Sequence, residues 1–144
     1  MATADDVAAA ETDERVVVLD SREPSKFRGE VVWFETGEIA SGADGIAHTP
    51  RGDLRAGHVP WARSVPWRQL YSSDLTMKSA AELRRMFAEV GVTPDRRAVT
   101  YCGVGISASA LLFALRAAGI DDVRLYDGSW DEWGRNPDLP IARG

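Results

Sequence analysis

Cysteine is nearly absent from this sequence of 144 residues: Cys102 stands alone. A single thiol closes no internal disulfide, so a reducing, cytoplasmic compartment is the expectation. Histidine is equally scarce, with only His48 and His58, and such a set is too small for a typical structural zinc site. No apolar run approaches the ~20 residues that span a bilayer. The first residues are Ala-rich and acidic rather than basic and then apolar, so neither a membrane span nor a secretory signal is expected. Positive charge is also in deficit. Seventeen Lys and Arg against 22 Asp and Glu leave a net charge of −5, which disfavours non-specific binding to nucleic acid.

What is present is an ordinary globular composition, 44% apolar and 27% charged, in a length that suits one domain. Residues 1–14 are small and acidic and are expected to be a flexible tail or linker, leaving 15–144 as a single domain. Short β-branched or apolar runs at Val16 to Leu19, Ala62 to Val65, Ala98 to Tyr101 and Val123 to Tyr126 predict buried strands. A serine N-cap at Ser79 with Glu82 three residues on opens a helix to Val90, closed by Gly91. A second helix is expected from Ser107 to Ala118, closed by Gly119, and a short one from Trp130 to Gly134. The stretch from Glu30 to Gly57 has weak periodicity and many glycines, and reads as a long surface loop with at most a short strand near Val31 to Phe34. Strands alternating with helices predict an α/β class with a largely parallel sheet.

Ligands of such sheets sit at the carboxyl ends of the strands. Three polar turns fall there: Asp20 to Arg22, Cys102 to Ser107, and Asp127 to Trp130. The middle one places the cysteine between a strand and a helix, with Gly103 and Gly105 following. Backbone N–H groups turned inward by glycines, together with the positive end of a helix, stabilise an anion at or beside the sulfur. That anion is a thiolate, a persulfide or a bound oxyanion. No charged side chain lies between Cys102 and Ser107, so backbone dipoles and the Ser107 hydroxyl must do the stabilising.

Tyr101 to Ala108, YCGVGISA, resembles the active-site loop of rhodanese-type sulfurtransferases, and is nearest to the second domain of tandem thiosulfate and 3-mercaptopyruvate sulfurtransferases, which carry Cys-x-x-Gly-Val-Thr. Four further stretches agree in order: Leu19 to Arg22 with Phe27-Arg28-Gly29, Gly57-His58-Val59-Pro60, Lys78 to Phe87, and YDGSWDEW from Tyr126 to Trp133. The resemblance implies a rhodanese-like doubly wound sheet of about five parallel strands with helices on both faces. It implies a Cys102 persulfide that moves a sulfane sulfur from a small anionic donor to a cyanide or thiol acceptor, with no metal or organic cofactor. It assigns catalysis to Cys102, and substrate binding to Gly103, Val104, Gly105, Ile106, Ser107 and Lys26.

Several positions depart from that pattern. Gly103 and Val104 stand where thiosulfate-preferring relatives carry two basic residues, and Val104 stands where mercaptopyruvate-preferring relatives carry a serine. Lys26 replaces a substrate-binding arginine; it keeps the charge and loses the bidentate fork. The resemblance is to the second half of a two-domain enzyme whose first domain covers the site, so the expectation is an autonomous single domain, a piece of a longer chain, or a site covered by a partner domain or a second copy. Three rivals stand beside sulfur transfer. A cysteine phosphatase would need an arginine at the end of the loop, where Ala108 and Ser109 stand instead. The other two are a persulfide carrier and a non-catalytic rhodanese-like binding module, each acting with a protein partner.

Overall fold

Two apolar runs, Val16 to Leu19 and Ala98 to Tyr101, form the centre of the molecule, because β-branched and aromatic side chains pack on both faces of a pleated sheet. The computed structural model describes residues 1–34, 37–103 and 106–144. In chain order it builds α1 (Ala4–Ala9), β1 (Val16–Asp20), α2 (Pro24–Phe27), β2 (Val31–Phe34), β3 (Gly37–Ala40), β4 (Ile46–Thr49), β5 (Gly52–Arg55) and β6 (Arg63–Ser64). Then follow α3 (Ala80–Glu89), β7 (Arg97–Tyr101), α4 (Ile106–Ala117), β8 (Val123–Leu125) and α5 (Ser129–Trp133), with 3-10 turns at Ala10–Thr12 and Trp67–Leu70.

The sheet has four strands in the order β6-β1-β7-β8, and every pairing is parallel. The register pairs Val17 with Ala98 and Leu19 with Thr100, so these residues share one face. Leu19 and Ala98 bury there against Leu83 and Phe87 of α3 and Leu111 and Leu115 of α4. Val18, Val99 and Tyr101 point to the opposite face and bury against Val7 of α1, Trp130 and Trp133 of α5, and the hairpin residues Val32, Ala47 and Leu54. Burial on both faces explains why β1 and β7 read as continuous apolar runs rather than alternating ones.

Three helices end in the same way. Gly29, Gly91 and Gly119 have φ of 82°, 85° and 89°, in the left-handed region that a side chain disfavours. After each, the next N–H reaches back five residues: Glu30 to the Ser25 carbonyl, Val92 to Phe87 and Ile120 to Leu115. These are Schellman closures, with Val92 and Ile120 buried beneath them.

Three expectations are corrected. The sheet has four strands where about five were expected, because Val31–Phe34 pairs antiparallel with Gly37–Ala40 and closes its hydrogen bonds locally. The stretch from Glu30 to Gly57 is two β-hairpins, β2–β3 and β4–β5, rather than a long loop. Its glycines mark turns: Gly45 and Gly52 have φ of 76° and 102°. The acidic first segment is not a flexible tail. Thr3 and Asp6 form a reciprocal capping box, Val7 is fully buried, and Ala2 makes a parallel bridge to Tyr126. Trp61 holds this helix by donating its indole N–H to the Val7 carbonyl at 3.0 Å. Composition concealed the segment because its buried side chains, Ala2, Val7 and Ala10, are few and small.

No helix among the described residues is long and apolar enough to cross a membrane.

Candidate active site

The three polar turns meet at the carboxyl ends of β1, β7 and β8. Ser21, just past β1, donates its N–H to the Tyr101 carbonyl at 3.0 Å, and its hydroxyl lies 3.1 Å from the same oxygen. That hydroxyl also shares a hydrogen bond of 2.9 Å with Ser107 in the first turn of α4. The β1 turn thus touches the helix that follows the cysteine.

Cys102 is buried, at 2% exposure, one residue beyond the end of β7. It is clamped from the β8 side. Its N–H donates to Ser129 Oγ at 3.1 Å, and its carbonyl accepts from the Trp130 N–H at 2.8 Å. The Gly103 carbonyl accepts from the Asp131 N–H at 3.0 Å. The first N–H groups of α5, which have no partner inside their own helix, therefore hold the backbone of the cysteine turn. Ser129 adopts φ 53°, unusual for a residue with a side chain. This places its hydroxyl 2.9 Å from the Tyr126 carbonyl and 4.0 Å from Cys102 Sγ. The left-handed conformation costs about 1 kcal/mol, and the buried hydrogen bonds offset it.

Beneath the turn lies an ion pair. The Arg22 guanidinium donates to the Asp20 carboxylate at 2.7–3.1 Å and to the Gly57 carbonyl at 2.6 Å. Its face stacks 4.7 Å from the centroid of the Trp130 ring and 5.7 Å from that of Tyr101. Burial opposes the Arg22 charge, but the Asp20 carboxylate outweighs it, and the guanidinium titrates above its usual range. Burial, reinforced by that same carboxylate, pushes the Tyr101 phenol well above the usual tyrosine range. The neutral phenol oxygen accepts from the Val59 N–H at 3.1 Å. One network thus joins the end of β1, the Gly57–Pro60 turn, β7 and α5. His58 braces that turn: its Nδ1 lies 2.7 Å from the Phe27 carbonyl, and its ring stacks on Phe27 at 3.6 Å.

The residues singled out from sequence fall into three groups. Cys102, Gly103 and Ser107 come together at the sheet end, and Ile106 opens α4. Val104 and Gly105 lie outside the described residues. Lys26 belongs to α2 and is mostly buried, paired at 3.2 Å with Glu38 of the β2–β3 hairpin.

Two contributors escaped individual notice. Ser129 sits inside the Asp127 to Trp130 turn, which pointed to the site without singling out the serine. Arg51 lies at the tip of the β4–β5 hairpin, far from Cys102 in sequence. Its guanidinium lies 3.5 Å from the carboxylate of Asp131, the residue whose N–H holds Gly103. Arg135 fastens the same tip by donating to Thr49 Oγ1 and to the Arg51 and Gly52 carbonyls at 3.1–3.3 Å. Nothing local to residue 51 signals this; only the hairpin brings it near the cysteine turn.

This geometry defines a single-cysteine α/β domain with its thiol at a strand-to-helix turn. The chain belongs to the rhodanese-like domain family, whose model matches residues 3–136. It is 37% identical over 132 residues to the sulfur carrier protein TtuD of Thermus thermophilus, an alignment covering 88% of this chain and 41% of that protein. To the 3-mercaptopyruvate sulfurtransferase of Escherichia coli K12 it is 34% identical over 136 residues, covering 94% and 42%. The chain thus spans about two fifths of the length of these relatives. Among solved structures, the anaerobic ergothioneine biosynthesis enzyme from Chlorobium limicola shares the fold, with a TM-score of 0.78 at 24% identity over 99% of this chain and 32% of that one.

Proposed function

We propose that the chain is a sulfurtransferase domain in which Cys102 carries a sulfane sulfur between a small anionic donor, such as thiosulfate or 3-mercaptopyruvate, and a thiol or cyanide acceptor. The observation that carries this reading is the position of the chain's one thiol, at the carboxyl end of a central strand with its N–H and carbonyl both held by α5. With thiosulfate, the Cys102 thiolate attacks the outer sulfur. A new S–S bond forms, the donor's S–S bond breaks, and sulfite leaves with the electron pair. Cyanide then attacks the outer sulfur of the persulfide, thiocyanate departs, and the thiolate returns. This is covalent catalysis in two half-reactions. In this reading, Gly103, Val104, Gly105, Ile106, Ser107 and Lys26 bind the donor, and a partner domain or a second copy covers the site. A reducing cytoplasmic compartment suits the lone thiol.

The test is mass spectrometry of the intact protein after incubation with thiosulfate or 3-mercaptopyruvate. The expected result is a gain of one sulfur on Cys102, lost on adding cyanide. A persulfide that cyanide leaves in place favours a carrier; a folded protein that never gains sulfur favours the binding-module reading.

The cation missing from the cysteine turn is, in this reading, Arg51. Its pairing with Asp131, whose N–H holds the Gly103 carbonyl, brings that charge to the cysteine turn. Alkylation of Cys102 by iodoacetate and by iodoacetamide reports this charge apart from sulfur transfer. Arg51→Gln is expected to lower the iodoacetate-to-iodoacetamide rate ratio about threefold at low salt, with less effect near ~0.5 M salt. Arg116→Gln removes the same charge from the last turn of α4 and serves as the control, expected to leave the ratio unchanged. Equal ratios in the two variants would exclude Arg51 from the site.

A further inference from the structure

Three glycines from separate parts of the chain face one arginine. A Cβ added at Gly29, the residue closing α2, would lie 3.0 Å from Arg143 Nε. One at Gly45, in the turn between the two hairpins, would lie 2.7 Å from Arg143 Nη1, and one at Gly57 would lie 3.2 Å from Arg143 Cγ. All three glycines have positive φ. The Arg143 side chain thus lies in a cleft that exists because these positions carry no side chain.

The backbone around Arg143 is equally engaged. His58 and Ala142 exchange both hydrogen bonds at 2.9 Å, and the Gly144 N–H reaches the Arg28 carbonyl at 3.2 Å. Arg143 also donates to the Gly29 carbonyl at 3.4 Å. Residues 142–144 therefore bind α2, the hairpin turn and the Gly57–Pro60 turn into one body.

We infer that Arg143 is a positioning residue, and that residues 142–144 form a strap setting where the two hairpins stand relative to Cys102. Two physical routes lead from the strap to the site. Gly57, flanked by the strap, offers its carbonyl to Arg22, which stacks on Trp130, the residue whose N–H holds the Cys102 carbonyl. Gly45, in the same cleft, accepts from the Ala56 N–H at 2.7 Å and so ties the turn to the chain just beyond the β4–β5 hairpin, whose tip carries Arg51.

The activity arm of the test rests on the proposed sulfurtransferase reading; the other two arms do not. In the full chain, Arg143→Ala is expected to raise amide hydrogen exchange in residues 46–55 about tenfold while the β1 and β7 amides stay protected. The iodoacetate-to-iodoacetamide ratio at Cys102 should fall about threefold, as for Arg51→Gln. The donor KM should rise with little change in kcat, and Arg143→Lys should restore part of each effect. Gly45→Ala drives a methyl into the same cleft, and its effect on the ratio should be about threefold smaller in the Arg143→Ala background.

Wild-type exchange and alkylation ratio in folded Arg143→Ala would overturn the inference. So would a uniform loss of protection across the sheet with an unchanged ratio, which marks a purely structural role. A changed ratio in a protein that transfers no sulfur would keep the strap and remove the sulfurtransferase reading.

Discussion

Replacing Cys102 by alanine is expected to lower sulfur transfer from thiosulfate to cyanide by at least ~10³-fold, because the chain then holds no other group able to form a persulfide. Cys102→Ser is expected to be equally inactive: an alkoxide is a poor nucleophile toward sulfane sulfur, and its pKa leaves almost none ionised at neutral pH. Neither change should unfold the protein. The residue is small, and the main-chain hydrogen bonds that hold it, from its N–H to Ser129 and from Trp130 to its carbonyl, survive the substitution. The stability change should stay near ~1 kcal/mol. The measurement is the rate of thiocyanate formation beside a thermal melt. A folded Cys102→Ala protein that keeps its activity would move the chemistry off this thiol.

The second large effect concerns stability. Asp20→Ala leaves the Arg22 guanidinium, whose side chain is 4% exposed, without its carboxylate in the interior. Removing one partner of such a pair costs about 3–5 kcal/mol, a large part of the ~5–15 kcal/mol that holds a typical domain together. The expected result is a clear drop in the urea midpoint with little change in slope, and a melting temperature lower by about 10–15 °C. Asp20→Leu combined with Arg22→Met should recover much of that loss, since it strands no charge. Arg22 also bridges the Gly57 carbonyl and the face of Trp130, so the double variant is expected to be stable yet weaker at positioning the cysteine turn. Wild-type stability in Asp20→Ala would mean that the pair contributes nothing beyond its geometry.

Much of the fold was legible because its signals are local. The valine runs at 16–18, the Ser79 cap and the helix-closing glycines each act over a turn or two of chain. The place of Cys102 was legible for the same reason: a strand end, a cysteine, two glycines and a helix start stand next to one another in the sequence. The hairpins were not. Strands of four residues show little alternation, and half of β3 and β5 is exposed, so no apolar run announces them. Helix α1 hid behind its acidic composition because its capping box joins two exposed polar residues and its anchor is one valine.

From sequence alone follow the α/β class, the place of Cys102 at a strand-to-helix turn, and the lack of any cation in the residues just after it. These depend on neighbours in the chain. What surrounds the cysteine depends on which distant segments pack together, and only the tertiary structure decided that. It brought Ser129 to the Cys102 N–H, engaged Lys26 with a hairpin carboxylate, set Arg51 beside Asp131 and laid Arg143 across three glycines. Each of these contacts joins groups whose separation is set by sheet order and hairpin placement, which no local pattern encodes.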